Sequence, residues 1–391
     1  MAKKNKDQKE NSDLELQTII GNQITNGLGY LGGQLSDQRR KSLEYYLGDK
    51  LGTEIDGRSQ VVSTDVSDTI ESLLPNLLRV FTASDNVVRC EPMTAEDVPM
   101  ADQATAYLNH VFYKENNGFQ LLYNFFKDAL IEKNGFLKIY WDDSEKVDYE
   151  TYENLSPVEK EALQDTKDEI EIVDEEVFED EDAKEQFEAT LAQYEAQGMD
   201  VSQIQVPNFN LYNCKIKRIK KTGKVKIESV PPEEFLIERN AKTIDDADFV
   251  AHKVLMTRSD LVSMGYSQDE VDELPKSDLD IYNNEEIVRM RDIDEYNVST
   301  PTDSSTEKVL IYECYIKYDY DGDGIAELRK VVAAGSDGSH ILSNMPCDNI
   351  PFVTVTPIPM PHRFYGRSIS ELVEDVQLMK STVMRQLLDN M

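Results

Sequence analysis

The sequence predicts an α+β protein, with helices first, antiparallel strands after them and a long helix at the end. Three observations carry this. Apolar residues recur at helical spacing through the first third of the chain. Between Lys308 and Met345, three alternating runs are separated by turns rich in Asp and Gly, the pattern of a β-meander. From Ser368 onward, Ile369, Leu372, Val373, Val376, Met379, Val383, Leu387 and Met391 fall at helical intervals. An S-x-x-E capping box, Ser368 to Glu371, marks the start of that helix.

Residues 1–30 are expected to be a disordered tail. MAKKNKDQKENSD is polar and lysine-rich and lacks the apolar stretch of a signal peptide. Residues 31–141 form a helical region. Ser36 or Asp37 caps a helix with Leu43, Tyr46 and Leu47 on one face. Ser63, Thr64 or Asp65 starts the next, whose apolar stripe is Val66, Ile70, Leu73, Leu74, Leu77, Leu78 and Phe81. Pro75 lies inside that stripe and is expected to kink or break the helix, because it has no N–H and its ring clashes one turn back. Helices around Ala101–Tyr113 and Phe119–Ile131 follow. In the second, Leu121, Leu122, Phe125, Phe126 and Leu130 make a core face. Gly135 closes it, and Phe136–Trp141 alternates as a strand.

Residues 142–207 are an acidic insertion, expected to hold helices and loop. Pro157 suits the first turn of a helix after Ser156, and Phe187, Leu191 and Tyr194 repeat at helical spacing. The segment reads equally as a projecting helical hairpin or as a disordered, solvated stretch. Residues 208–350 are β-rich. Leu211–Val230 is expected to be a β-hairpin turning at Lys221-Thr222-Gly223, with Lys215, Lys217 and Lys226 on one side. That basic side is most simply an exposed face. Its alternatives are a phosphate contact or a docking surface for a neighbour's acidic insertion. Strands at Phe235–Glu238 and Phe249–Met256 come next, and Thr257 caps a short helix closed by Gly265. Lys276–Thr306 reads as a long polar excursion. Residues 351–391 comprise an extended run with Pro351, Pro357, Pro359 and Pro361, then the final helix. No glycine or proline ends that helix, so its pattern is expected to continue in a longer protein.

Charge narrows the function. The 391 residues carry a formal net charge of −34. Asp142–Asp200 alone holds 23 Asp and Glu against 4 Lys and no Arg. A DNA-binding regulator is expected to be basic, because phosphate neutralisation supplies most non-specific affinity. Acidity of this kind keeps a chain soluble and its copies apart. No apolar run approaches the roughly twenty residues of a membrane span. Cys90, Cys214, Cys314 and Cys347 are widely separated and read as isolated thiols. The chain has no G-x-x-x-x-G-K-[ST], no H-E-x-x-H and no G-x-S-x-G, and its four His are not paired at helical spacing. It is expected to be non-enzymatic, with no catalytic residue and no required cofactor.

One local motif suggests a ligand. Asp319, Asp321, Asp323 and Gly324 match positions one, three, five and six of a calcium loop. The twelfth position, a bidentate Glu in such loops, is Lys330, so Glu327 would have to supply the remaining ligand. The competing reading is a hairpin turn that uses Asp and Gly for their backbone tolerance.

Five stretches in order carry a family resemblance: RRKSLEYYLG (39–48), GRSQVVSTDVSDTIESLLPNLLRVFTASDNVVRCEP (57–92), KNGFLKIYW (133–141), YDYDGDGIAELRKVVAAG (318–335) and PHRFYGRSISELVEDVQ (361–377). Together they resemble the portal proteins of tailed bacteriophages, in particular the group like that of the short-tailed phage P22. The resemblance implies a dodecameric ring at one capsid vertex, through which double-stranded DNA enters and leaves without sequence recognition. It implies capsid and scaffolding proteins, the terminase large subunit and tail adaptor proteins as partners. Its place is the virion, reached from the host cytoplasm during assembly, with no membrane. Residues 31–350 would then be mainly the wing and Ser368–Met391 the start of the stem, with clip and crown beyond position 391. On such a stem helix Glu371, Glu374, Asp375, Lys380 and Arg385 are the candidates to face the channel. The two cations would meet DNA backbone there or pair with acids of the adjacent subunit. An acidic wall that repels phosphate would suit such a channel. The alternative function is an acidic calcium-binding interaction module, and assembly into a ring discriminates the two.

Overall fold

The computed structural model describes residues 2–50, 52–84, 86–143, 145–164, 169–196, 208–221, 223–276, 284–290 and 303–391. The chain divides into two units, one of residues 1–140 with 227–391, the other of residues 141–226.

In the larger unit, helix α1 spans Ala2–Tyr30. Leu16, Ile20 and Ile24 recur every fourth residue and are fully buried. The expected disordered tail is therefore corrected: its second half carries an apolar stripe into the core. A kink at Gly33 separates α1 from α2 (Ser36–Leu47). Leu35, not Ser36 or Asp37, holds the N-cap position, and the buried Ser36 hydroxyl donates instead to the Glu285 carboxylate at 3.0 Å. Of the kink or break expected at Pro75, the break does not occur: helix α3 (Asp65–Thr82) continues through it. Val66, Ile70, Leu74 and Leu78 are buried on both sides of the proline, and that packing outweighs the roughly 3 kcal/mol an interior proline costs. Helices α4 (Val98–His110) and α5 (Gly118–Glu132) follow, and β1 (Gly135–Asp142) succeeds them.

The smaller unit holds β2 (Glu145–Leu155), α6 (Pro157–Gln164), β3 (Glu169–Glu179), α7 (Glu181–Ala196) and β4 (Asn210–Lys221). The strands form one antiparallel sheet in the order β2-β4-β3. The expected helices at Pro157 and Phe187 are present. The expectation of helices and loop alone is corrected, because two acidic segments are strands. The reason is electrostatic: basic β4 lies between them. Lys217 pairs with Glu171 and Arg218 with Glu150, each at 3.0 Å. Opposite charges across neighbouring strands favour that register. The expected Leu211–Val230 hairpin is also corrected, since β4 and β5 (Lys224–Val230) belong to different sheets.

The chain then forms β6 (Phe235–Ile237), β7 (Phe249–Thr257), α8 (Arg258–Ser263), α9 (Gln268–Asp272) and α10 (Asn284–Met290). The rest of the expected polar excursion, residues 277–283 and 291–302, lies outside the described residues. The meander is β8 (Lys308–Tyr318), β9 (Glu327–Ala334) and β10 (His340–Pro346), and β11 (Phe352–Val355) and α11 (Ile369–Asp389) complete the chain.

Two sheets involve these strands. Five antiparallel strands run in the order β10-β9-β8-β7-β6. β1 lies between β11 and β5, with Gly135 opposite Val355 and Lys138 opposite Phe352. One core joins α1 to the five-stranded sheet around stacked Phe136 and Phe235, whose ring centroids are 4.1 Å apart. A second core gathers α2, α3 and α5 around Leu43, Ile70, Leu74, Phe125 and Phe126, and α11 lies against it. The mixed α+β class stands as expected. No helix among the described residues is long and apolar enough to cross a membrane.

Candidate functional site

Helix α11 is where sequence and surroundings diverge most. Its start is built as the sequence predicts. The Ser368 hydroxyl accepts the Glu371 N–H at 3.2 Å, and the Glu371 carboxylate accepts the Ser368 N–H at 3.3 Å. Gly366 immediately before it has no substitute, because a Cβ there would sit 2.2 Å from the Ile358 carbonyl oxygen.

The polar side of α11 faces inward. Ser370, Gln377 and Ser381 are fully buried. Ser370 donates to the Ser42 carbonyl at 3.2 Å. Gln377 donates to the Tyr45 carbonyl at 3.0 Å and accepts the Val66 N–H at 2.8 Å. Ser381 accepts the Ser63 N–H at 2.9 Å. These side chains satisfy backbone groups at the end of α2, at the start of α3 and in the loop joining them, groups that are costly to bury unpaired. Ile369, Val373 and Leu378 pack on the second core, and the remaining apolar residues face outward. Val376, Met379, Val383 and Leu387 are 50, 62, 55 and 62% exposed, and Leu372 is 46% exposed. Helix α3, which packs on α11, adds exposed Leu73, Leu77 and Val80. Contiguous exposed apolar surface is characteristic of interaction sites.

The five channel candidates are placed as follows. Glu371 caps α11 and pairs with Lys133 at 2.8 Å. Glu374 pairs with Lys41 at 3.1 Å, and Lys380 with Asp65 at 2.6 Å. Lys380, and after it the Ser63 hydroxyl, hold the Asp65 carboxyl below its usual range. Arg385 is buried. It donates to the Val61 carbonyl at 2.8 Å, to Thr53 Oγ1 at 2.9 Å and to Glu54 at 2.5 Å. Within the chain these three partners account for its guanidinium donors. Asp375 is exposed, with no ion-pair partner among the described residues.

The aspartate turn closes on itself. Asp319 accepts the N–H groups of Gly322, Asp323 and Gly324 at 2.7, 3.1 and 2.8 Å. Asp321 accepts that of Asp323 at 3.1 Å, and Asp323 that of Ile325 at 2.7 Å. Gly324, with φ +88, supplies the left-handed step. One oxygen from each of the three carboxylates falls within 4.8 Å of the others. Glu327 does not join them in this arrangement and pairs with Arg329 at 3.0 Å.

Sequence reasoning missed a buried charge cluster. Arg289 on α10 lies 3.5 Å from Asp128, 2.7 Å from Glu132 and 3.0 Å from Glu233. Burial pushes Glu132 up to about 8 and Asp128 up to about 6, even with Arg289 opposing the rise. The cluster fastens α10 to α5. Its only signal was Glu285 and Arg289 one helical turn apart within a stretch poor in apolar residues.

Set against models of protein families, the chain matches the one described as phage SU10 portal protein over residues 16–391.

Proposed function

This chain belongs to the phage SU10 portal protein family, and on that premise we propose that twelve copies close into a ring at one capsid vertex through which double-stranded DNA is packaged and ejected. The observation that supports assembly is the exposed apolar stripe of α11. Its buried polar side is hydrogen-bonded within the chain, while Leu372, Val376, Met379, Val383 and Leu387 stay exposed among the described residues. A second copy is the occupant that a ring supplies, because each subunit then covers its neighbour's stripe and no face is left over.

In this reading the acidic surface serves passage. A wall short of free cations does not hold phosphate, and Lys380 and Arg385 are engaged by Asp65 and Glu54. Exposed Asp375 is the candidate of the five that remains for the channel. The terminase large subunit, capsid and scaffolding proteins and tail adaptors are the proposed partners, with the chain acting as their docking platform and no chemistry of its own. Negative-stain imaging of the purified full chain tests this. Closed rings with a central hole are expected, and monodisperse monomers would remove the proposal.

The aspartate turn favours a second reading, an acidic interaction module that binds calcium. Its signature would be a melting temperature that rises with calcium in the wild type and not in Asp321→Asn. The hydrogen bonds inside the turn account for the three aspartates without an ion, so the portal reading takes precedence.

A further inference from the structure

A cleft of about 610 Å³ in the larger unit opposes the charge of the whole chain. Lys133, Arg239, Arg363 and Arg367 line it against two carboxylates, Glu238 and Glu371. Glu371 is committed to Lys133, 2.8 Å away, and its distance to Arg367 is 3.9 Å. Glu238 accepts the Asp248 N–H at 3.4 Å. Arg239 and Arg363 have no carboxylate within ion-pair distance among the described residues, although the chain carries 75 Asp and Glu against 41 Lys and Arg. Arg239 lies over the Tyr30 ring, 5.8 Å from its centroid, and both residues are part of the cleft wall. His362, which precedes Arg363, is held at φ +62, a left-handed conformation uncommon for a non-glycine residue. What sets Arg239 and Arg363 apart is that both guanidinium groups line one concave site.

We propose that this cleft is an anion site that receives an acidic, extended segment of a second copy of the chain. The proposal rests on the ring reading. Three features favour a peptide carboxylate over duplex DNA. A concave site of this volume admits a side chain or a short loop, whereas a duplex backbone needs an open basic face that meets many phosphates. Phe364, Tyr365 and Met360 supply apolar wall beside the guanidinium groups, which suits a peptide. Each copy also presents unpaired carboxylates: Glu153, Glu161, Glu176 and Glu181 are exposed and have no cation partner among the described residues. Guanidinium groups grip carboxylates bidentately, so even a short acidic segment would be fixed in position.

The test compares the full-length wild type with Arg239→Glu/Arg363→Glu. Both positions are exposed, so the double variant is expected to keep the wild-type melting temperature. Its assembly midpoint should move to a concentration about tenfold higher. A photo-crosslinking amino acid replacing Met360 should capture, in the assembled wild-type background, an Asp- and Glu-rich peptide of another copy. An assembly curve for the double variant that coincides with the wild type overturns the cleft proposal alone. So do crosslinks that appear only when duplex DNA is added and go to the DNA. A wild type that never assembles overturns the ring reading, and this proposal with it.

Discussion

Single residues here act through backbone groups more than through each other. Asp319 receives three N–H groups in one turn. Asp319→Ala leaves them to water and is expected to lower stability by about 1 kcal/mol, equally with and without calcium, in urea titrations. Glu132 acts through its proton. Burial raises its pKa from 4.5 to about 8, so the folded state binds the proton more tightly than the unfolded chain does. Its contribution to stability is therefore full below about pH 4.5 and is lost as pH rises through about 8. Denaturation of wild type and Glu132→Gln across pH 4–9 should show the wild type losing stability relative to the variant as pH rises. Glu313 has the opposite sign. Burial pushes it up, but Lys138 and Lys330 together outweigh burial and hold it at about 2. That contribution is present above about pH 4.5 and is lost as pH falls towards 2.

Among the elements, α11 shows what a hydrophobic pattern conveys and what it leaves open. Its period, start and capping box were legible in the sequence, because caps and spacing are local. Which face turns inward was not. Gln377 and Ser381 look like solvent-facing residues until the backbone groups of Tyr45, Ser63 and Val66 are seen to need partners. Gln377→Leu keeps the shape but leaves the Val66 N–H and the Tyr45 carbonyl unpaired. It is expected to cost about 2 kcal/mol or more in a thermal or urea melt, although leucine would strengthen the apolar pattern. The same limit explains the other misreadings. Pro75 breaks a helix in isolation, whereas four buried residues hold α3 together around it. The ion pairs of β4, such as Lys217 with Glu171, were not legible because the acidic strands that flank β4 come from segments distant in sequence. Tail residues Leu16, Ile20 and Ile24 already had helical spacing, but the polar residues before them dominated the composition. The meander and the aspartate turn were legible because strands and turns there are adjacent along the chain.

At the scale of the whole molecule, two facts pull against each other. A net charge of −34 keeps copies apart, and an apolar stripe along α11 draws them together. A ring satisfies both, since contacts repeat at a few edges while most of the acidic surface stays in water. Family membership states what the assembled object is, a phage portal. The structure adds an exposed apolar stripe on α11, which the proposed ring would cover. The most direct test is the light-scattering mass of the full chain beside Val376→Lys/Val383→Lys, both measured at one concentration. Both positions are exposed in the single chain, so the variant should fold with a wild-type melting temperature. The account predicts a closed oligomer near twelve copies for the wild type and a monomer for the variant. A variant that assembles as the wild type does would contradict it.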